Sequence, residues 1–238
     1  MPNAGSKKIA VITGAGISAE SGLATFRDSG GLWEGYDIGQ VATPEAWRKD
    51  PQTVLEFYNL RRKQASEAQP NSAHLALAEL EHHFDVQIIT QNVDDLHEKA
   101  GSKNVLHLHG ELKKARSVKN QELIIDIGAK PIRMGDTAED GGQLRPHVVW
   151  FGEMVPMIEP AAIQVSQADI LVVIGTSLVV YPAAGLVEYA PAGIPKYIVD
   201  PSEPELMNWN DWVHIKEKAG VGAPKLKDLI LKEHQING

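Results

Sequence analysis

The stretch IAVITGAGISAESGLATFRD, Ile9 to Asp28, decides the fold. Its β-branched apolar run, Ile9 to Ile12, suits a strand buried on both faces of a parallel sheet. Gly14 and Gly16 then permit a tight turn and close backbone approach, and Ala19 stands where a dinucleotide fingerprint accepts Gly or Ala. The turn is expected to open a helix whose free N–H groups suit a pyrophosphate. A glycine pair after a strand also makes an ordinary βα turn, so this stretch alone leaves both open.

Outward from it, apolar runs recur at Val86 to Thr90, Val105 to Leu108, Val148 to Phe151, Ile170 to Ile174 and Tyr197 to Val199, with Val213 to Ile215 as a candidate last strand. Their alternation with helical patterns predicts an α/β fold, a Rossmann-like, doubly wound, mostly parallel sheet. Leu226, Leu229 and Ile230 share one face of a closing helix over Pro224 to His234. Two stretches break the rhythm. Tyr36 to Ala68 is helical in pattern, with Asp50 as an N-cap and Pro51 at the first helical position. Lys113 to Leu144 is polar and glycine-bearing. They predict a smaller second lobe built from two insertions, 36–66 and 113–144, beside a dinucleotide-binding body of 1–35, 67–112 and 145–238. Binding sites often lie where two such lobes meet.

Composition narrows the function. A chain of 238 residues, 43% hydrophobic, can bury a full core. A formal charge of -8 argues against nucleic acid or an anionic membrane as the main partner. The absence of cysteine excludes disulfides, a thiol nucleophile and any thiolate metal site. No apolar run reaches the length of a membrane span, and the basic start lacks a persuasive cleavage site, so a cytoplasmic protein is expected.

A nicotinamide dehydrogenase would place an acidic residue at the end of a second strand about 20 residues after the glycines. Here that region is SGGLWEGYDIG, which is no strand, so Glu34 and Asp37 fit that role poorly and hydride transfer loses weight. Polar residues at other strand ends take its place. Gln91, Asn92 and Asp94 follow the run ending at Thr90, where side chains line the crevice of an open α/β sheet; an Asx turn capping the next helix would use the same residues. His107 and His109 are spaced to share a strand face. A metal pair, a structural histidine and a general base at His109 all remain open, and no third ligand is evident.

The segments GAGISAESGLATFRD, TQNVDDLHEKAG, HLHGEL, LRPHVVWFGE and GTSLVVYPAAGL occur in the order and spacing of the sirtuins, and the chain resembles that family over nearly its whole length. The resemblance implies an NAD-dependent protein-lysine deacylase. Gly14, Ala15 and Gly16 match its diphosphate turn, and Ser18, Glu20, Phe26 and Arg27 its segment closing over NAD. Gln91, Asn92 and Asp94 match its nicotinamide and ribose pocket, and His109 its catalytic histidine. Val149 to Glu153, including Phe151 and Gly152, resembles the strand against which the substrate backbone pairs. Gly175, Thr176 and Ser177 match the turn on the adenosine side. In the family's mechanism the acyl oxygen attacks the ribose as nicotinamide leaves, a histidine takes a ribose hydroxyl proton, and free lysine and O-acyl-ADP-ribose result.

Departures from the family pattern sharpen the expectation. Tyr58 and Arg61, three apart on one helix face, resemble the pair that holds the carboxylate of succinyl or malonyl chains, with Ala42 leaving room beside them; the alternative is a solvated Arg61 and Arg62. The two cysteine pairs that bind zinc in most members are missing, and Ser117, Asn120, Thr137 and Asp140 stand near their places. Zinc is therefore not expected, and Leu123, Ile124, Ile125 and Ile132 are candidates to pack the insertion. Ala24 replaces a usual proline, and Asp200, standing where an Asn-x-Glu pattern commonly holds the adenine ribose, is carried over as an acceptor for a ribose hydroxyl. The expected partners are acyl-lysine proteins, and the oligomeric state, a monomer included, stays open. Protein ADP-ribosyl transfer, NAD hydrolysis and a non-catalytic sensor of NAD or O-acyl-ADP-ribose are the alternatives.

Overall fold

The computed structural model describes residues 6–23, 32–33, 36–203 and 211–235; Ala24, Phe26 and Arg27 lie outside the described residues. Strand β1 (Lys8–Thr13) is followed by a short antiparallel pair, β2 (Leu32–Trp33) and β3 (Tyr36–Asp37). Four helices come next: α1 (Ile38–Val41), α2 (Pro44–Lys49), α3 (Pro51–Glu67) and α4 (Ser72–Leu80). Then follow β4 (Asp85–Thr90), α5 (Leu96–Ala100), β5 (Val105–His107), β6 (Gly110–Ser117), β7 (Ile124–Asp126) and β8 (Leu144–Val148). The chain continues through α6 (Ile158–Ser166), β9 (Ile170–Ile174), β10 (Lys196–Val199), β11 (Val213–Ile215) and α7 (Ala219–Glu233).

Six strands form one parallel sheet in the order β11-β10-β9-β1-β4-β5. Alternate residues of β1 explain why both faces are covered. Ile9 and Val11 pack with Ala73, Leu77, Ala223 and Leu226 of α4 and α7, while Ala10 and Ile12 pack with Ala161 and Val165 of α6. Each large side chain so buried contributes about 1.5–3 kcal/mol. From β1 the chain runs one way to β4 and β5 and later the other way through β9 to β11. The order therefore reverses between β1 and β9, where open α/β sheets bind ligands beyond their carboxyl ends.

A second, antiparallel sheet of order β7-β6-β8 frames the polar insertion. Asp50 caps α3 by accepting from Thr53 N at 3.1 Å, with Pro51 opening the helix. Three local expectations are corrected. The run Val148 to Phe151 is not a strand of the main sheet: β8 ends at Val148 and pairs with β6. Two 3-10 turns, Ala15–Ile17 and Ala19–Ser21, replace the helix expected after the glycines, because their N–H groups bond within the turn and across to β9. Helix α7 starts at Ala219, with Pro224 inside it. The Gly220 carbonyl that Pro224 leaves free accepts from Ser72 Oγ at 2.6 Å, and Gly222 lies so close to Val199 that a Cβ would meet its Cγ1 at 2.3 Å.

Candidate active site

The carboxyl ends of β1 and β9 meet at the glycines. Gly14 N donates to Ile174 O at 3.1 Å and Gly16 N to Gly175 O at 2.9 Å. A Cβ on Gly14 would stand 2.6 Å from Thr176 Cβ, and one on Gly16 2.8 Å from Gly175 Cα. Gly175 itself has φ +65°, which only glycine adopts without strain. The glycines are thus required by the chain's own packing at the switch point. Gly14 and Gly16 commit their N–H groups across to β9, and Ile17 and Ser18 commit theirs within the turn.

A line of polar side chains is buried along this edge: Ser18, Asn92, Asp94, Thr176 and Asp200. Burying them uncompensated would be costly, so each is held. Asn92 Nδ2 donates to Ser18 Oγ at 2.9 Å, and Gln91 Nε2 to Thr176 Oγ1 at 3.2 Å, which ties the ends of β1, β4 and β9 together. Asp94 Oδ1 accepts from Leu96 N at 3.2 Å, so the Asx turn opening α5 and the crevice use the same residue. Burial pushes the Asp94 carboxyl up from its ordinary value, against the Leu96 N–H, the Ser18 hydroxyl and the charges of His107 and Arg61. Asp200 Oδ1 accepts from Ser202 N at 2.9 Å, and its carbonyl is hydrogen-bonded to His214.

His109 follows β5 at the rim of this crevice. Its Nδ1 donates to the Gln91 carbonyl at 3.0 Å, and since a carbonyl only accepts, the proton of the neutral ring sits on Nδ1. Nε2 is left with its lone pair. Burial lowers the ring's pKa against the Gln91 bond, which keeps it neutral and basic near pH 7. His107 is different. Its Nδ1 faces Asn92 O at 3.0 Å and its Nε2 faces Glu98 Oε1 at 2.8 Å. Atoms of Glu98, His107 and Glu111 lie within 4.8 Å of one another, a triad that the sequence did not expose. Lys113 and Lys114 already pair with Glu111, and both ring nitrogens of His107 face acceptors, so these groups form an ion-pair cluster.

Helix α3 brings Tyr58 and Arg61 inward. Both are buried, Tyr58 beside Ala42, Val148 and Trp150, and neither arginine is solvated: Arg62 is 2% exposed and donates to Leu112 O at 2.6 Å and to Asn59 Oδ1 at 2.7 Å. The Arg61 charge acts on both Tyr58 and Asp94, so this residue stands between the helix face and the crevice. Burial raises the Tyr58 hydroxyl far above its ordinary value, which keeps it a neutral donor.

Not every predicted residue is brought to the crevice. Glu20 accepts from Gly220 N at 2.7 Å and braces α7. In the segment Val149 to Glu153, Val149 N donates to His109 O and Phe151 N to Ala42 O, while Glu153 accepts from Trp150 N and pairs with Arg145 at 2.7 Å. Phe151 is half exposed. Arg145 also lies 3.3 Å over the Trp150 ring, and Arg116 joins Glu153. No spacing signal announced this cluster, since its members come from β6, β8 and a loop.

Ser117 and Asp140, near the places of absent thiolates, bond to each other: Ser117 Oγ donates to Asp140 Oδ2 at 2.8 Å. Gly142 N and Lys119 N complete the clasp. Asn120 caps a turn through Glu122 N, and Thr137 bridges to Gln143, so these four residues do not converge as a tetrahedral donor set. Zinc does not fit here. Of the candidate packing residues, Ile132 is buried with Leu55 and Ala115, whereas Ile124 is exposed.

The model of the Sir2 family matches residues 14–182 of this chain. A protein of Bacteroides thetaiotaomicron named NAD-dependent protein deacylase is 52% identical over 231 residues, covering 94% of this chain and 98% of that protein. A Sir2 homologue solved with ADP-ribose superposes with a TM-score of 0.86 at 40% identity, covering 98% of this chain and 96% of the other. A Sir2 homologue–NAD complex gives 0.84 at 41% identity, over 96% and 91% of the two chains.

Proposed function

Because the chain belongs to the Sir2 family, we propose that it is an NAD-dependent protein-lysine deacylase whose pocket favours acidic acyl groups such as succinyl and malonyl. The observation that carries this is the placing of Asn92, Asp94 and a neutral His109 just beyond the carboxyl ends of β4 and β5, with Tyr58 and Arg61 turned inward from α3. NAD fits the row of buried polar side chains beyond the carboxyl ends of β1, β4, β9 and β10, and when bound it would supply an electrophilic ribose carbon and a nicotinamide leaving group.

Within that frame His109 accepts a ribose hydroxyl proton at Nε2, because Nδ1 is tied to Gln91. Base assistance of this kind contributes about 100- to 10,000-fold. Asn92, fixed by Ser18, orients the ribose side, and Asp94 holds the amide end beside Arg61. Arg61 offers a planar fork to the acyl carboxylate and Tyr58 adds a hydroxyl donor. Phe26 and Arg27 belong to this proposal through the resemblance alone. Val149, Phe151, Gly152 and Glu153 flank the route by which the peptide backbone would arrive.

The lobe division of 36–66 and 113–144 from the body belongs to the same proposal, supported by the separate antiparallel sheet and by the separate cluster of Leu55, Ala115 and Ile132. No helix among the described residues is long and apolar enough to cross a membrane. A co-substrate that cells keep inside suits a cytoplasmic enzyme. Incubation with NAD and peptides bearing succinyl-, malonyl- or acetyl-lysine, followed by mass spectrometry, tests the proposal. Deacylated peptide with released nicotinamide is expected. Release of nicotinamide without any acyl-lysine requirement would favour ADP-ribosyl transfer or NAD hydrolysis, and no release with any peptide would refute the enzyme.

A further inference from the structure

We propose that Glu98 and His107 form a positioning pair, an imidazolium clamp that holds the main chain of Asn92 and so sets the geometry of the crevice. The inference rests on the deacylase proposal for its catalytic consequence but not for its geometry. Asn92 is held at three points. Its N–H donates to Thr90 Oγ1 at 3.0 Å, its side chain donates to Ser18 Oγ at 2.9 Å, and its carbonyl faces His107 Nδ1 at 3.0 Å. The first two come from residues lining the crevice. The third reaches back to α5, because His107 Nε2 is anchored 2.8 Å from Glu98 Oε1.

The two partners fix the charge state of the ring. A backbone carbonyl and a carboxylate both accept, so each nitrogen of His107 must carry a proton, and the ring is an imidazolium. Every element around it supplies a charge that bears on this. Glu98 comes from α5, beside a His97 that burial keeps neutral, Glu111 and Lys113 from β6, and Asp94 from the loop after β4. Burial opposes the imidazolium, but the Glu98 bond and charge, the Asn92 carbonyl and Glu111 outweigh it and raise its pKa. Burial also opposes the Glu98 carboxylate, yet His107 draws it down to about 2, so the proton resides on the ring. The adjacent carbonyl, that of Gln91, holds His109. Two histidines of opposite duty thus hang from consecutive carbonyls: a cation that positions and a neutral base that reacts.

The consequence is a turnover limit on the alkaline side. When His107 loses a proton, a lone pair meets either the Asn92 carbonyl or Glu98, the clamp opens, and Asn92 and Gln91 shift. Misplacement of a reacting group by about 1 Å can cost on the order of 100-fold.

Glu98→Gln tests this, since the amide oxygen still accepts from Nε2 while the charge is gone. The expected result is turnover near the wild-type value at about pH 6 and an alkaline limb moved about one to three units lower, the size of shift an opposite charge produces. A profile that superimposes on the wild type, or one lowered by the same factor at every pH, would overturn the clamp. His107→Ala is expected to lower kcat more than it changes KM for NAD; the reverse split would count against the pair. Histidine ¹⁵N NMR of the wild type gives a readout free of activity: both ring nitrogens of His107 are expected to be protonated at neutral pH. A neutral ring there overturns the inference even in an active enzyme, whereas an imidazolium in a protein without deacylase activity would fault the proposed function and leave the clamp standing.

Discussion

Replacing Arg61 by Met separates the acyl pocket from the rest of the machinery. Methionine keeps the length and much of the volume of a buried side chain, so the perturbation is chiefly loss of the guanidinium. A hydrogen bond to a charged group contributes about 1.5–3 kcal/mol. At about 1.4 kcal/mol per decade, kcat/KM for a succinyl-lysine peptide should fall about 10- to 150-fold. The Arg61 charge also acts on Asp94, and losing it lets burial raise that carboxyl further, which lowers activity on every acyl group alike. The diagnostic quantity is therefore the ratio of kcat/KM for succinyl- and acetyl-lysine peptides of one sequence at saturating NAD. That ratio should collapse in the variant by the factor above. Tyr58→Phe removes one neutral hydroxyl, worth about 0.5–1.5 kcal/mol, and should move the same ratio only about 2- to 12-fold. Equal losses on both peptides in Arg61→Met would refute the carboxylate role, even if the enzyme were badly impaired.

Three further outcomes follow from the same geometry. His109 must be neutral to accept a proton and burial lowers its pKa, so kcat/KM should fall on the acid side through a midpoint below the ordinary histidine value; His109→Ala should lower activity about 100- to 10,000-fold, and survival of the acid limb in that variant's residual activity would refute the assignment. His74 and His97 meet edge to face in the core with ring centroids 4.9 Å apart, and burial lowers them to about 4 and about 3. The unfolded chain takes these protons near pH 6.5 and the folded one does not, so stability is fully present above about pH 6.5 and is lost as pH falls toward 4. Urea titrations should show this loss, with a flatter profile in His97→Gln; an unchanged profile would contradict it. Ser117→Ala should lower the melting temperature by removing the hydroxyl that Lys119 N and Asp140 share, while a zinc chelator should leave the melting temperature of the wild type where it was.

What was legible in the sequence was whatever depends on neighbours along the chain. The β-branched runs before Thr13, Thr90 and Ile174 announced parallel strands because burial on both faces demands unbroken apolar stretches. Asp50 and Pro51 announced the start of α3, since a cap is settled within four residues. Where long-range contacts decide, local signals misled. Val148 looked like the start of a core strand and is the end of a peripheral one, because β6 rather than β4 is its partner. Pro224 looked like a helix start, but Ser72, far away in sequence, satisfies the carbonyl that Pro224 leaves free. Gly14 and Gly16 pointed to a ligand, and no local signal announced that they also admit the close approach of Gly175 and Thr176. Glu98 gave no signal at all, since its partner lies nine residues on, beyond a turn and across a strand boundary.

The insertion without zinc shows the same division between local and distant causes, and it bears on specificity. A metal would gather four side chains at one point. Here the insertion is instead sewn along its length: Ser117 to Asp140 at one end, Arg116 and Arg145 to Glu153 at the other. Between them Asn59 makes a two-way amide pair with Ile132, donating to its carbonyl at 2.8 Å and accepting from its N–H at 2.9 Å. Asn59 lies on α3 between Tyr58 and Arg61, and it also accepts from Arg62 at 2.7 Å. The insertion therefore braces the helix that carries Tyr58 and Arg61 of the proposed pocket. The lobe is thereby joined to the proposed acyl pocket through the placement of α3.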